Sequence, residues 1–135
     1  MARPPRTKPV SAAQVRSFAS KAEEFAAAAA SDLKAGRCIA ATSLAIHAGI
    51  NSADAVCGAR LGQRAAGEDH DQVLVLLGQA GPDGAEVGRH LRRLLPLKTK
   101  AEYEPDDIAR TVAAKAVERA RRCAAVARRV ASTAR

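Results

Sequence analysis

The sequence predicts an all-α protein, an up-and-down helical bundle of four to five helices, and three observations carry that expectation. Thirty-three of the 135 residues are alanine, against 24 Leu, Ile and Val together. Alanine is the best helix former and packs poorly on a pleated surface, so an apolar surface made largely of methyl groups favours closely approaching helices over sheets. Apolar side chains also recur at alternating steps of three and four, the period of one helix face. Gly36, Gly62, Gly78 and the Gly81-Pro82 pair fall between those stretches, where helices stop. A chain of this length suits one domain, burying roughly two-thirds of its unfolded surface without a metal or disulfide.

Residues 1–10 hold Pro4, Pro5 and Pro9 among Arg3, Arg6 and Lys8, which predicts a flexible basic arm ahead of a single bundle domain over residues 11–135. Ser11 suits an N-cap, and Val15, Phe18, Ala22, Phe25, Ala29 and Leu33 form the stripe of a first helix ending at Gly36. A second helix is expected from about Arg37 to Leu61, with Ile39, Ile46, Ile50, Ala53, Cys57 and Leu61 in phase. Gln63 to Asp69 reads as a loop, whose acids Glu68 and Asp69 suit the positive end of the next helix. That helix is short, His70 to Leu77; its Val- and Leu-rich run has no partner strand elsewhere, which favours helix over strand. A fourth helix is expected from about Asp83 to Leu95, where Pro96 discourages continuation, and Lys98 to Glu104 reads as a connector. Pro105, Asp106 and Asp107 suit the first turn of a long last helix reaching about Ala131. Its stripe of Ile108, Val112, Ala116, Cys123, Val126 and Val130 is interrupted by Arg119.

The net charge of +8 is unevenly placed. Residues 1–10 carry +3, residues 11–104 balance 11 basic with 11 acidic side chains, and residues 105–135 carry 8 basic and 3 acidic. Arg119, Arg121, Arg122, Arg128 and Arg129 are therefore candidate contacts for nucleic-acid phosphates, which need clustered Lys or Arg; the same charges also serve as an ordinary solvated face. With Phe18, Phe25 and Tyr103 as the only Phe, Tyr or Trp, and both Phe on a core stripe, no platform for stacking single-stranded bases is expected. Cys38, Cys57 and Cys123 form no CxxC pair and read as buried free thiols of a cytoplasmic protein. The run Ala26 to Ala30 is bracketed by Glu23, Glu24, Asp32 and Lys34, too short for a signal peptide or span, so no membrane association is expected.

Two constellations carry possible chemistry. Ser43, His47 and Asp54 fall within about 40° of one another on a helical wheel, bordering the apolar stripe of the second helix. They read either as a small ligand-binding or proton-transferring pocket, or as a hydrogen-bonded cluster that fixes the bundle's register. Arg64 and His70 are separated by five residues across Gly67. An Arg beside a His at a helix N-terminus suits holding a phosphate and moving a proton in RNA cleavage without a metal, although such spacing also arises by chance. His47, His70 and His90 are not paired at i,i+4 and stand in no HExxH relation, so no metal site is expected. Neither GxGxxG nor a P-loop is present, and no cofactor is expected.

Gly36-Arg37, the stretch Ala45-Ile46-His47-Ala48-Gly49-Ile50-Asn51-Ser52-Ala53-Asp54-Ala55, then Gly62-Gln63-Arg64, His70 and Lys98-Thr99-Lys100-Ala101-Glu102-Tyr103-Glu104 follow one another in an order that resembles actinobacterial HEPN-domain proteins. The resemblance covers about residues 11–131. In many members of that superfamily a basic residue, Ala, an acid and Tyr precede the last long helix, as Lys100 to Tyr103 do here. The resemblance implies a bundle, often homodimeric, that binds RNA or a nucleotide. In catalytic members it implies a metal-independent ribonuclease of toxin–antitoxin, defence or RNA-processing systems. It casts Arg64 as phosphate clamp and His70 as general acid/base, sets Lys100 and Tyr103 beside Ser43, His47 and Asp54 as ligand-binding candidates, and suggests an antitoxin or nucleotidyltransferase-like partner. Ala65 stands where catalytic members usually have Asn, Asp or His, and Gln72 where one large branch has Tyr. The alternative function is a non-catalytic nucleic-acid-binding or protein-interaction bundle.

Overall fold

The computed structural model describes residues 6–67 and 69–134. Strand β1 (Thr7–Pro9) leads into helix α1 (Ala12–Lys34), which opens as its sequence predicts. The Ser11 hydroxyl accepts from the Gln14 N–H at 3.1 Å while the Gln14 side chain accepts from the Ser11 N–H at 2.9 Å, a reciprocal capping box. Gly36, in the left-handed region at φ +82°, turns the chain back into α2 (Cys38–Leu61), so the two long helices form an antiparallel hairpin. Strand β2 (Gln63–Ala65) follows, then α3 (His70–Leu77), α4 (Gly81–Leu94), a 3₁₀ turn (Leu95–Leu97), α5 (Lys98–Tyr103) and α6 (Arg110–Ala131). Apart from the small ribbon of β1 and β2, the described chain is an all-α bundle, as the sequence predicts.

The centre of the bundle is α1, α2 and α6, with α4 packed against α2 and α6. Alanines make the approach close: Ala22, Ala26 and Ala29 of α1 meet Ala41, Ala45, Ala48 and Ala53 of α2 and Ala113, Ala116, Ala120 and Ala124 of α6 in one buried cluster. Helix α2 is buried on most of its circumference, which suits a helix with so few polar residues. Its buried Thr42 and Ser52 hydroxyls are satisfied by donating to the carbonyls of Cys38 and Ala48, at 2.8 and 2.7 Å. Leu77, Leu91 and Leu94 supply the bulk on the α4 side. Asp83, near the start of α4, accepts from Arg60 of α2 at 2.6 Å and from Arg129 of α6 at 2.8 Å, clasping three helices. Those two guanidiniums hold its carboxyl below the usual carboxylate range. No helix among the described residues is long and apolar enough to cross a membrane.

Three expectations need correction. Of the arm expected to be flexible, the described part is built into the fold: β1 pairs antiparallel with β2, setting Thr7 opposite Ala65, Lys8 opposite Arg64 and Pro9 opposite Gln63. The Val10 N–H donates to the Gly62 carbonyl at 2.9 Å, and its side chain is buried with Val15, Ala19, Ala55, Ala127 and Ala131 in a second cluster. Gly58 makes that seat: a Cβ there would come within 2.6 Å of Val10 Cγ1. The remainder of the arm, Met1 to Pro5 with Arg3, lies outside the described residues, as do Glu68 and Arg135. The expected connector Lys98 to Glu104 is largely helical, because Pro96 sits in a 3₁₀ turn where its missing N–H costs nothing and the chain continues round. The last helix begins at Arg110 rather than Pro105, since Ile108 is drawn into the core and Ala109 is extended at φ −62°, ψ 144°.

Candidate functional site

Arg64 and His70 stand in different surroundings within the chain. Pairing of β1 with β2 fixes Arg64 against α1, where its guanidinium lies 5.4 Å from the centroid of the Phe18 ring and faces the Asp54 carboxyl. His70 is the first residue of α3, behind the N-cap Asp69, whose side chain accepts from the Asp71 N–H at 2.9 Å. It lines an open groove of about 530 Å³ with Asp71, Leu74, Arg92, Lys98 and Thr99, and Arg64 is not among the residues of that groove. No hydrogen bond joins Arg64 to His70 among the described residues. The cations nearest in setting to His70 are thus Arg92 and Lys98.

The cluster of Ser43, His47 and Asp54 divides in two. His47 Nε2 lies 3.4 Å from Glu102 Oε1, and its ring packs 5.6 Å, centroid to centroid, from Phe25. Ser43 donates to the same Glu102, and Lys98 Nζ reaches it at 2.8 Å. The Lys98 hydrogen bond, ahead of the charge of Lys98, holds the Glu102 carboxyl below its ordinary range. The acid that serves Ser43 and His47 is therefore Glu102 of α5. Asp54, about two turns further along α2, sits instead with Arg64 of β2 and Lys21 of α1. Burial raises its carboxyl to about 6, against the lowering influence of those two cations. Beside Ser43 and Glu102 runs an open groove of about 910 Å³, edged by Arg37, Cys38, Asp107 and Ile108. Lys100 lies on the surface, and Tyr103 is 75% exposed.

The α6 arginines face three ways. Arg121 and Arg128 edge an open groove of about 710 Å³ between α1 and α6, floored by alanines, with Arg128 at 3.6 Å from Glu23. Arg129 is held by Asp83. Arg119 and Arg122 face α4, and there the structure shows a residue that motif reading passes over: His90, only 6% exposed. Arg119 Nη1 lies 3.3 Å from His90 Nδ1. A guanidinium has only donors, so Nδ1 accepts, which assigns the neutral imidazole with its proton on Nε2. Burial first, then the charges of Arg89 and Arg119, holds the imidazole below its usual pKa. The one signal in the sequence is Arg119 itself, the charge that interrupts an apolar stripe.

Cys57 and Cys123 are buried free thiols, pushed up to about 12 chiefly by burial, while Cys38 is half-buried. Comparison with protein-family models and with curated proteins finds no match to the chain.

Proposed function

We propose that this chain is a HEPN-like RNA-binding bundle that grips RNA by its phosphates on the face shared by α4 and α6. The observation that carries the reading is the convergence of Arg89 from α4 with Lys115, Arg119 and Arg122 from α6 in two adjoining grooves around His90, against Glu86 and Glu118. Cations from two helices along one face suit a polyanion and need no aromatic platform. The resemblance of the sequence to HEPN-domain proteins implies RNA or a nucleotide, of which a run of cations along two helices suits RNA, and it brings a homodimer and a nucleotidyltransferase-like antitoxin as partners. The ribonuclease form of the reading assigns Arg64 and His70 as clamp and general acid/base. It rests on their spacing and on that resemblance.

The test is binding of single-stranded RNA as salt is raised. Arg89→Gln, Arg119→Gln and Arg122→Gln together are expected to weaken binding tenfold or more and to flatten the plot of log affinity against log salt by about 2, at roughly 0.7 for each lost contact. Arg121→Gln with Arg128→Gln, on the α1 side, is expected to do much less. Equal effects of the two sets would overturn the α4–α6 face, and unchanged affinity in both would overturn RNA binding through these helices. In the same preparations, RNA cleavage in excess EDTA that is lost in both Arg64→Ala and His70→Ala supports the ribonuclease form. Its absence from the wild type leaves a binder.

A further inference from the structure

The polar clusters of α2 are internally paired: His47 and Lys98 with Glu102, and Arg60 and Arg129 with Asp83. The His90 cleft is different. From α4 it is faced by Glu86 and Arg89, and from α6 by Lys115, Glu118, Arg119, Arg122 and Arg129, while Leu91 and Leu94 turn the α2 side of α4 apolar against Gly49. Glu118 is engaged by Arg122 at 2.9 Å, and Arg129 by Asp83. Arg89, Lys115 and Arg119 make no ion pair among the described residues. Arg119 is half-buried, and its one polar contact among the described residues is with an imidazole that cannot neutralise it.

We propose that the His90 cleft is a seat for one phosphate group. A half-buried cation with no described carboxylate in ion-pair distance is poorly compensated, and an oxyanion seated between it and Arg89 relieves it despite Glu86 and Glu118 at the rim. The Arg119 fork uses a single N–H on His90 and keeps its other donors for a bidentate grip on two phosphate oxygens, with Arg89 and Lys115 at the rim. His90 answers to the occupant. It is neutral when the cleft is open, with Nδ1 accepting from Arg119. An anion beside it favours the imidazolium, whose new proton on Nδ1 replaces that hydrogen bond and leaves the anion bridging the two cations, so binding takes up a proton and strengthens as pH falls. The phosphate group has two sources, the diester backbone of RNA or a terminal or free phosphomonoester. The proposal deepens the RNA-binding reading by naming the contact at its centre.

The experiment follows the three histidine imidazole resonances of the full chain by NMR as pH is varied, alone, with inorganic phosphate, and with sulfate, which stays dianionic throughout. The His90 midpoint is expected to rise by about one unit with either anion, and Arg119→Gln to abolish the rise. An RNA oligomer with and without a 5′-phosphate then separates the sources. A rise with both assigns the backbone, and a rise with the phosphorylated oligomer alone assigns a terminal monoester. A His90 midpoint indifferent to phosphate, sulfate and RNA overturns the seat even if RNA still binds. A midpoint that moves with sulfate in a protein that binds no RNA keeps the seat and sinks the RNA reading. The wild-type titration decides the matter even if Arg119→Gln fails to fold.

Discussion

Gly84→Ala is expected to destabilise the bundle by about 2 kcal/mol or more, the cost of overpacking a site that cannot give. A Cβ on Gly84 would run into the carbonyl oxygen of Leu77 and lie 2.7 Å from Ala80 Cβ. That carbonyl is backbone at the end of α3, held by the Ala80 N–H at 3.0 Å, so relief requires the corner between α3 and α4 to open. Leu77 and Val87 are fully buried beside it, and opening the corner loosens both. Gly49→Ala is the control. Its Cβ would meet Leu94 Cδ1 at 2.9 Å and Leu91 Cδ1 at 3.0 Å, the ends of side chains that can turn aside. Gly49, in the middle of α2, gains helix propensity of about 1 kcal/mol and Gly84, in the first turn of α4, gains less, a difference smaller than the overpacking cost expected at Gly84. Urea unfolding followed by circular dichroism should place Gly84→Ala well below both Gly49→Ala and the wild type. Equal midpoints for the two variants would contradict a rigid α3–α4 corner.

What local chemistry controls was legible in the sequence. Ser11 caps α1, Gly36 and Gly62 end the first two long helices, and Asp69 caps α3, because each acts on backbone groups within a turn of itself. What depends on a distant partner was not. Pro9 and the cations Arg6 and Lys8 describe an arm, and nothing in them announces that Gln63 to Ala65 offers a strand edge or that Gly58 leaves room for Val10. The start of α6 was misplaced for the same reason: Pro105 suits a first turn, but Ile108 has a place in the core that the extended segment reaches.

The candidate sites divide along the same line. A helical wheel correctly sets Ser43 beside His47 on α2, but their acid comes from another helix, and Asp54 is about 10 Å further along the axis at 1.5 Å per residue. The meeting of His90 with Arg119 depends on how α4 crosses α6, which periodicity within either helix does not specify.

Asp54→Asn is expected to stabilise the protein at neutral pH by about 1–2 kcal/mol and to remove a fall in stability between about pH 4 and 6. Burial is the larger influence on this carboxyl and raises it from 3.8 to about 6, while Arg64 and Lys21 recover part of the cost. Over that interval the folded chain keeps a proton that the unfolded chain releases, so stability falls as pH rises and levels off above the folded value. The whole shift corresponds to about 3 kcal/mol at 1.36 kcal/mol per unit, and partial exposure to water reduces what is realised. Asparagine keeps the volume and hydrogen-bonding capacity without the charge. Arg64 keeps its place over Phe18, so the ribbon of β1 and β2 remains docked. Unfolding in urea at intervals from pH 4 to 8 should give curves that meet at pH 4 and separate above pH 5 with the variant the more stable. A variant less stable than the wild type at pH 7 would show instead that attraction to Arg64 and Lys21 outweighs burial, and that Asp54 is a latch holding the ribbon to α1 and α2.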